Sequence, residues 1–219
     1  MAKNILIKTK RLILTPMSRE ELDKKLQEMP GGELRRAYEE MREGCQREPE
    51  NWLWYTPWKI LLKKDGSLIG DLSFKGPPVK GTVEWGYGLE EAYRGQGYMT
   101  EAARVLLDWA FSQKDVYAVE AETLPENAAS QRVLEKLDFK PLGVDGAEGP
   151  RFRREKQAAK MSVVYMMLGM CCGMSFGSAF GNLSIGMVLG LAMGLLLGSV
   201  VDSIERKYRQ HVMDGEKET

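Results

Sequence analysis

Residues 93–102 read YRGQGYMTEA and lie between a strand pattern and a helix pattern. Gly95 and Gly97 permit a tight turn there, because glycine adopts positive φ angles at no steric cost. The helix that follows would point its unpaired N–H groups and the positive end of its dipole at an occupant of the turn. The stretch therefore predicts an anion site, and a pyrophosphate is its natural occupant.

The sequence on both sides of the turn has the order that such a site requires. Residues 82–89 alternate between an apolar face and a face that holds Glu84, Gly86 and Gly88. After the turn, apolar side chains recur at helical spacing, at Ala102, Val105, Leu106, Trp109 and Ala110. Strand, turn and helix follow one another, although Thr100 replaces the third glycine of a dinucleotide fingerprint.

The remaining segments predict a mixed α and β domain. Residues 5–14 predict one strand, and Ser18 with Glu21 predicts a capping box that opens a helix. Further patterns predict a helix over residues 33–47, a hairpin over 58–63 and 68–74, a strand over 116–123, a helix over 127–137, and a last hairpin over 140–142 and 151–154. We expect helices packed against one sheet.

These residues resemble the GNAT superfamily of acetyl-CoA-dependent N-acetyltransferases, and within it the RimJ/RimL-like branch. The family pattern is Arg/Gln-x-x-Gly-x-Gly/Ala, and Arg94 to Tyr98 follow it until Met99 replaces the small last residue. Further matches follow in order at residues 9–14, 68–72, 127–130 and 134–139. The resemblance covers residues 5–157 and implies the GNAT fold, in which a central, mostly antiparallel sheet is flanked by helices.

The resemblance implies acetyl-CoA as co-substrate. Main-chain amides of the turn would hold its pyrophosphate, and they belong to Arg94, Gly95, Gln96, Gly97, Tyr98 and Met99. The pantetheine arm would lie along the strand that ends at Leu89. Asn127 matches an asparagine that contacts this arm, and the alternative is that it only caps a helix.

Transfer by direct attack on the thioester requires a base, because an amine is mostly protonated at neutral pH. Glu84 is the first candidate, since the alternation places it on the face of Gly86 and Gly88. Glu120 and Glu122, on the following strand, are rivals. The alternative for all three is a solvated or ion-paired strand glutamate.

The departing thiolate also needs a proton or a hydrogen bond. Many family members use a tyrosine on the late helix, but Leu134 stands at that position. Ser130 matches a serine that is proposed to meet the thiolate in RimL-like relatives, and it is the second candidate catalytic residue beside Glu84. Its alternative role is to cap the helix.

Composition excludes several other functions. The 219 residues include 31 basic and 31 acidic side chains, so no overall field favours nucleic acid. The three cysteines suit neither a disulfide framework nor a zinc site. The single histidine is His211, near the end of the chain, so we expect no metal site and no histidine-based nucleophile in the first 157 residues.

Residues 161–201 contain no charged side chain, which predicts insertion into a membrane. The stretch has room for two spans, 161–181 and 185–201, with a polar turn at residues 181–184. Glycines recur every fourth residue in each half, at positions 169, 173, 177 and 181 and then at 186, 190, 194 and 198. Small residues let helices approach closely in lipid, so we expect a glycine-packed hairpin that also self-associates.

Basic residues flank this stretch on both sides, at Arg151, Arg153, Arg154, Lys156 and Lys160 before it and at Arg206, Lys207 and Arg209 after it. The turn between the two spans carries none. The positive-inside rule therefore predicts that the N-terminal domain and both chain ends are cytoplasmic.

The sequence predicts two parts. Residues 1–157 form a GNAT domain, and residues 158–219 form a basic linker, the hairpin and a charged cytoplasmic tail. The favoured function is a membrane-tethered acyltransferase that acetylates a primary amine, either a protein N-terminus or a small molecule. The alternative is a module that binds acetyl-CoA or assembles in the membrane without turnover.

Overall fold

We describe the protein from a computed structural model, which covers residues 5–157 and 160–214. The chain divides between Lys156 and Gln157 into two compact units. The first unit holds a mixed sheet with helices on it, and the second is a pair of helices.

The first unit is built on an eight-stranded sheet. Its strands are β1 (Ile7–Lys8), β2 (Leu12–Pro16), β3 (Trp58–Leu62), β4 (Leu68–Phe74), β5 (Thr82–Leu89), β6 (Ala118–Glu122), β7 (Lys140–Asp145) and β8 (Pro150–Glu155). Their order in the sheet is β1-β2-β3-β4-β5-β6-β8-β7. The strands β5 and β6 run parallel, and the other neighbouring pairs are antiparallel. This is the mixed, mostly antiparallel sheet that the sequence predicts.

Five helices belong to this unit, namely α1 (Arg19–Glu28), α2 (Glu33–Arg47), α3 (Trp52–Tyr55), α4 (Tyr98–Ser112) and α5 (Ala128–Lys136). The capping box predicted for α1 is present, because the Ser18 hydroxyl accepts from Glu21 N and the Glu21 carboxylate accepts from Ser18 N. The helices α4 and α5 follow β5 and β6, so their N-termini lie where these two strands end.

The prediction of one strand over residues 5–14 is wrong, because a turn separates β1 from β2. The Thr9 hydroxyl accepts from Leu12 N at 2.9 Å, and Thr9 N donates to Leu12 O at 3.0 Å. The backbone N–H of Arg11 is turned outward and donates to Glu101 Oε1 at 2.8 Å. Because the Arg11 N–H is used in this long-range bond, it does not take part in a strand ladder. The chain reverses at this turn, and β1 pairs antiparallel with β2.

Two apolar clusters lie on opposite faces of the sheet. The larger one packs α4 and α5 on the sheet and includes Leu72, Trp85 and Leu106. The smaller one packs α1 and α2 and includes Leu22 and Tyr38. Side chains alternate along a strand, so Asp71, next to Leu72, points toward α1 and α2.

An aromatic cluster around Trp54 belongs to the larger core. The rings of Trp54 and Trp58 lie 4.9 and 4.8 Å from Trp109 on α4, centroid to centroid. Contacts of this kind stabilise a core through both area burial and ring geometry.

The second unit consists of α6 (Met161–Ala179) and α7 (Leu183–Asp214). The glycines of the two helices face each other. A Cβ added to Gly173 would lie 2.2 Å from Gly186 O, and one added to Gly190 would lie 2.1 Å from Gly169 O. Backbone thus packs on backbone along the hairpin, which is the arrangement that small residues permit between helices.

The helix bounds differ from those read off the sequence. The first helix ends at Ala179, because Gly181 adopts a left-handed φ of 76° and Asn182 Oδ1 accepts from Ile185 N to open the next helix. The second helix does not stop at residue 201 but continues to Asp214. Residues 202–214 lack glycine and proline, and an i,i+4 ion pair joins Glu205 to Arg209.

Several basic residues that the sequence places beside the hairpin belong to the sheet instead. Arg151, Arg153 and Arg154 lie on β8. Arg151 and Arg153 pair with Glu120, and Arg154 donates to Leu137 O at 2.6 Å. They are structural parts of the first unit, which leaves Lys156 and Lys160 as the basic residues between β8 and α6.

Candidate active site

The turn between β5 and α4 has the geometry that its glycines predict. Gly95 and Gly97 have φ angles of 73° and 78°, in the left-handed region where glycine is favoured. Gly97 is the N-cap of α4 and supplies no side chain to cap it. The first N–H groups of α4 therefore face the turn, which is the arrangement that binds anions at helix N-termini.

The turn is held in place from the β1–β2 hairpin. Arg11 Nε donates to Glu101 Oε2 at 2.7 Å, Arg11 Nη1 donates to Gln96 O at 3.0 Å, and the Thr9 hydroxyl donates to Glu101 Oε1 at 2.5 Å. The guanidinium also lies 4.3 Å from the centre of the Tyr98 ring. This set of contacts fixes the first turn of α4 and brings a cation to its N-terminus.

The Glu101 carboxylate is held in its charged form. Partial burial opposes ionisation, but hydrogen bonds from Thr9 and Arg11 outweigh it and hold the pKa of Glu101 below its usual value. Glu101 thus links the first turn of α4 to the β1–β2 hairpin.

Strand β5 extends beyond its pairing with β6. The parallel ladder runs from Thr82↔Ala118 to Trp85↔Ala121, whereas β5 continues to Leu89. Gly86 and Gly88 lie in this extension, and a Cβ at either would meet nothing within 4 Å. An extended, amide-containing ligand fits beside such a strand edge, because it can take up the backbone hydrogen bonds.

A cleft of about 920 Å³ opens along this part of the sheet. It is lined by β4, β5 and α2, and its polar lining includes Lys25, Tyr38, Asp71, Ser73, Lys75, Tyr87, Glu90, Arg94, Glu122 and Glu148. The Arg94 guanidinium turns back into the strand and donates to Leu89 O at 3.1 Å. Arg94 and Leu89, both predicted cofactor residues, therefore lie together at the end of the cleft.

The side chains of the remaining predicted cofactor residues, Gln96, Met99 and Asn127, have three different environments. Gln96 Nε2 donates to Ala92 O at 2.9 Å, which closes the turn. The Met99 side chain is buried in the core, so only its backbone faces the turn. Asn127 is the N-cap of α5, and its Oδ1 accepts from Ser130 N at 3.0 Å. Capping is the role that the structure gives to Asn127.

Ser130 contacts strand β5 through Tyr87. Its Oγ lies 2.9 Å from the Tyr87 hydroxyl, which also lies 3.3 Å from Ser130 O. Burial raises the pKa of Tyr87, and the hydrogen bond to Ser130 offsets part of this rise. The Tyr87 phenol is therefore protonated at neutral pH and is available as a donor.

Glu84 lies in a network of charges on the polar face of the sheet. It forms an ion pair with Lys75, and Arg151 Nη2 lies 3.5 Å from its second oxygen. Arg151 also reaches Glu120 at 3.0 Å and Glu122 at 3.7 Å. The Arg151 guanidinium thus contacts all three candidate bases. Of the three, Glu122 lines the cleft.

A second polar cluster joins the sheet to the α1–α2 pair. Lys25 Nζ donates to Tyr38 Oη at 2.6 Å and to Asp71 Oδ2 at 2.9 Å, and the Tyr38 hydroxyl donates to Asp71. Burial and the Asp71 charge raise the pKa of Tyr38. All three residues line the cleft, and Asp71 does so from β4 directly beside Gly88 of β5.

Sequence reasoning did not find Tyr87, Arg11 or Arg151 as parts of the site. The alternation of β5 places Tyr87 on the core face, and nothing local shows that its hydroxyl reaches a helix 43 residues later. Arg11 and Arg151 meet their partners only after folding. A search for metal sites among residues 5–157 and 160–214 finds no group of three or more His, Cys, Asp or Glu side chains that could hold an ion.

Comparison with known families identifies the first unit. A family model described as the acetyltransferase (GNAT) domain matches residues 11–140. The uncharacterized N-acetyltransferase YjdG of Bacillus subtilis is 35% identical over 86 residues, which is 39% of this chain and 51% of that protein. The probable N-acetyltransferase YjcK of the same organism is 38% identical over 88 residues, or 39% and 48% of the two chains. The match thus spans about half the length of these relatives.

Solved structures share the fold. RimL, named as a ribosomal L7/L12 alpha-N-protein acetyltransferase in complex with coenzyme A, superposes with a TM-score of 0.55 at 20% identity, over 71% of this chain and 100% of that chain. An acetyltransferase of the GNAT family from Bacillus anthracis gives a TM-score of 0.51 at 20% identity, over 69% and 98% of the two chains. These likenesses confirm the predicted fold of the first unit.

Proposed function

This chain belongs to the GNAT acetyltransferase family, and we propose that it transfers an acetyl group from acetyl-CoA to a primary amine while its second unit is embedded in a membrane. One observation carries the proposal. The glycine turn at the N-terminus of α4 stands next to a strand edge that extends past its ladder, so one substrate can span both.

Acetyl-CoA fits this pair of features. Its pyrophosphate is an anion for the amides of residues 94–99, and Arg11 adds positive charge beside the turn. Its pantetheine arm is peptide-like and suits the edge at Gly86 to Leu89, where Gly86 and Gly88 leave space. These contacts supply binding and orientation, which together bring the thioester to the cleft.

The chemistry requires that the amine lose a proton before or during its attack. Glu84 is the proposed base, and Glu122 is its rival because it lines the cleft. Arg151 and Lys75 hold these carboxylates in a fixed arrangement, which orients whichever of them accepts the proton. Ser130 is proposed to donate a hydrogen bond to the departing thiolate.

The acceptor is proposed as a protein N-terminus or a small amine. The RimL relative in coenzyme A complex is by its name an alpha-N-protein acetyltransferase, which makes peptides with free N-termini the first acceptors to test. The cleft is open and lined by carboxylates such as Glu122 and Glu148, which suits a cationic acceptor.

The membrane part of the proposal rests on the outer surface of the hairpin. Both helices are long and apolar enough to span a membrane. Their large side chains point outward, as at Leu168, Phe176, Leu189 and Leu196, each more than 60% exposed. An apolar surface of this size in water would be costly, whereas lipid covers it. We further propose that the first unit and both chain ends are cytoplasmic.

The alternative function is binding without turnover, in which the first unit holds acetyl-CoA and the hairpin assembles in the membrane. The interior position of Leu134, where many relatives use a tyrosine, favours this alternative. Self-association through the glycine stripes stays a prediction, and inside one hairpin each stripe already packs on the other.

The test uses the full chain purified in nanodiscs, with acetyl-CoA and a panel of peptides, polyamines and amino acids. We expect free thiol to appear with at least one amine and not without it. Binding of acetyl-CoA with no thiol release across the panel would support the alternative.

The base is tested with Glu84→Gln and Glu122→Gln in the same assay. We expect Glu84→Gln to lower kcat more than it lowers affinity for acetyl-CoA, because the base acts in the chemical step. A larger loss in Glu122→Gln would assign the base to Glu122 instead.

A further inference from the structure

The pair formed by Tyr87 and Ser130 joins strand β5 to helix α5. Tyr87 comes from the extension of β5 beyond its ladder, and Ser130 comes from the first turn of α5. Their hydroxyl oxygens are 2.9 Å apart. Tyr87 also lines the cleft, which places one member of the pair at its wall.

We propose that Tyr87 is a positioning residue that donates to Ser130 Oγ and so directs the Ser130 O–H at the thiolate that leaves from acetyl-CoA. This inference rests on the proposed function and names a residue of that same site. The single phenol proton of Tyr87 can go to Ser130 Oγ at 2.9 Å or to Ser130 O at 3.3 Å, and the shorter contact is the proposed donation.

Two features of the structure favour this assignment. Tyr87 packs edge-on against Trp85, with the ring centres 6.1 Å apart, and this contact limits the movement of its hydroxyl. The position of Ser130 in the first turn of α5 places its O–H beside the positive end of the helix dipole, which favours a nearby anion. A protonated phenol is required for the donation, and burial keeps Tyr87 in that form.

The step balances without any other reactant. The amine nitrogen forms a bond to the thioester carbon, the carbon–sulfur bond breaks, and its electron pair stays on sulfur. The proton of the amine passes to the basic glutamate. The Ser130 O–H donates a hydrogen bond to the sulfur and keeps its proton, and the thiolate is protonated later from water.

The test compares wild type, Tyr87→Phe, Ser130→Ala and the double variant as full chains, with Tyr117→Phe as the control for the loss of a tyrosine hydroxyl outside the cleft lining. Two quantities are measured: kcat with the best acceptor, and the pKa of the thiol of bound coenzyme A, followed by the ultraviolet absorbance of the thiolate. The second quantity does not depend on turnover.

We expect Tyr87→Phe to lower kcat about tenfold and to raise the pKa of the bound thiol by about one unit, because a hydrogen bond to a charged group is weakened. The KM for acetyl-CoA should change by less than about twofold, since the lost interaction forms with the leaving group. Ser130→Ala should have an effect of similar size, and the double variant should lose no more than either single variant. Ser130→Thr, which keeps the hydroxyl, should restore most of the rate.

Equal kcat and equal thiol pKa in Tyr87→Phe and Tyr117→Phe would overturn the inference, as would additive losses in the double variant. If wild type binds coenzyme A but transfers no acetyl group, the proposed function fails, and the thiol pKa then decides the role of Tyr87 separately.

Discussion

Glycine serves two different purposes in the two units of this protein. In the turn before α4, Gly95 and Gly97 have positive φ angles, and a Cβ added to Gly95 would meet nothing within 4 Å. In the hairpin, Gly173 and Gly190 have helical backbones, and an added Cβ would lie within 2.2 Å of a carbonyl oxygen of the other helix. The turn needs glycine because glycine adopts positive φ angles, whereas the hairpin needs glycine because it has no side chain.

Each unit therefore tolerates different substitutions at its glycines. A residue that accepts the left-handed region, such as asparagine, suits the turn whatever its size. The hairpin rejects any side chain at the glycines that face the other helix, because backbone cannot move aside as a flexible side chain can. Asparagine and valine should therefore differ in effect in the turn, whereas both should disrupt the hairpin.

The largest effect is expected in the hairpin. Gly190→Leu should force α6 and α7 apart, because even its Cβ would lie 2.1 Å from Gly169 O. Overpacking costs about 1–3 kcal/mol and occasionally more, and we expect the upper end here because the obstacle is backbone. Nitroxide labels at positions 164 and 200, in a background without native cysteines, would measure the separation by electron resonance, and we expect a longer and broader distance.

Ala192→Leu is the matched control, because Ala192 is exposed on the outer surface of α7. It adds the same side chain two residues away and should leave the distance unchanged. Equal distances in Gly190→Leu and Ala192→Leu would show that the glycines do not hold the hairpin together.

A smaller effect is expected in the turn. Gly97→Val should weaken coenzyme A binding about tenfold, because a branched side chain in the left-handed region costs about 1–2 kcal/mol. Gly97→Asn should bind nearly as well as wild type, since asparagine accepts this region. Calorimetry with coenzyme A gives the dissociation constants of both variants. A loss of affinity as large for Gly97→Asn as for Gly97→Val would show that side-chain volume, and not backbone conformation, limits binding at the turn.

The smallest effect concerns the contact that holds the turn from outside. Glu101→Gln should lower the free energy of unfolding by about 1 kcal/mol at pH 7, because it weakens charged hydrogen bonds that are partly exposed to water. The pKa of Glu101 is depressed in the folded state, so its contribution is present above the usual glutamate value of about 4.3 and is lost as the pH falls through the folded pKa.

Urea unfolding of wild type and of Glu101→Gln, from pH 7 down to acid pH, gives the difference between their free energies of unfolding. It should shrink below about pH 4.3 as wild type takes up the proton. A difference that stays constant with pH would show that the charge of Glu101 is not what holds the turn.

The turn and most elements of the first unit could be predicted because their signals are local. Positive-φ glycines, the capping box at Ser18 and the alternation of residues 82–89 all act within a few residues. The break between β1 and β2 could not be predicted, since it depends on a bond from Arg11 N to Glu101, 90 residues away. The contacts of Tyr87 and Arg151 were missed for the same reason.

The basic residues near residue 151 illustrate the limit most clearly. A count of charges beside an apolar stretch assigns Arg151 and Arg153 to a membrane flank. Folding instead pairs both with Glu120 in the sheet. Charge patterning alone does not separate the two roles, because both require the same side chains.

Carbonate-washed membranes offer a decisive test of whether one chain combines acetyl transfer with membrane insertion. Membranes from cells that produce the full chain are washed at high pH and assayed for amine-dependent release of thiol from acetyl-CoA. We predict that the chain and the activity both remain in the washed pellet and rise together with expression. A chain that leaves the membrane in the wash, or stays there without activity above that of cells lacking it, would contradict the account.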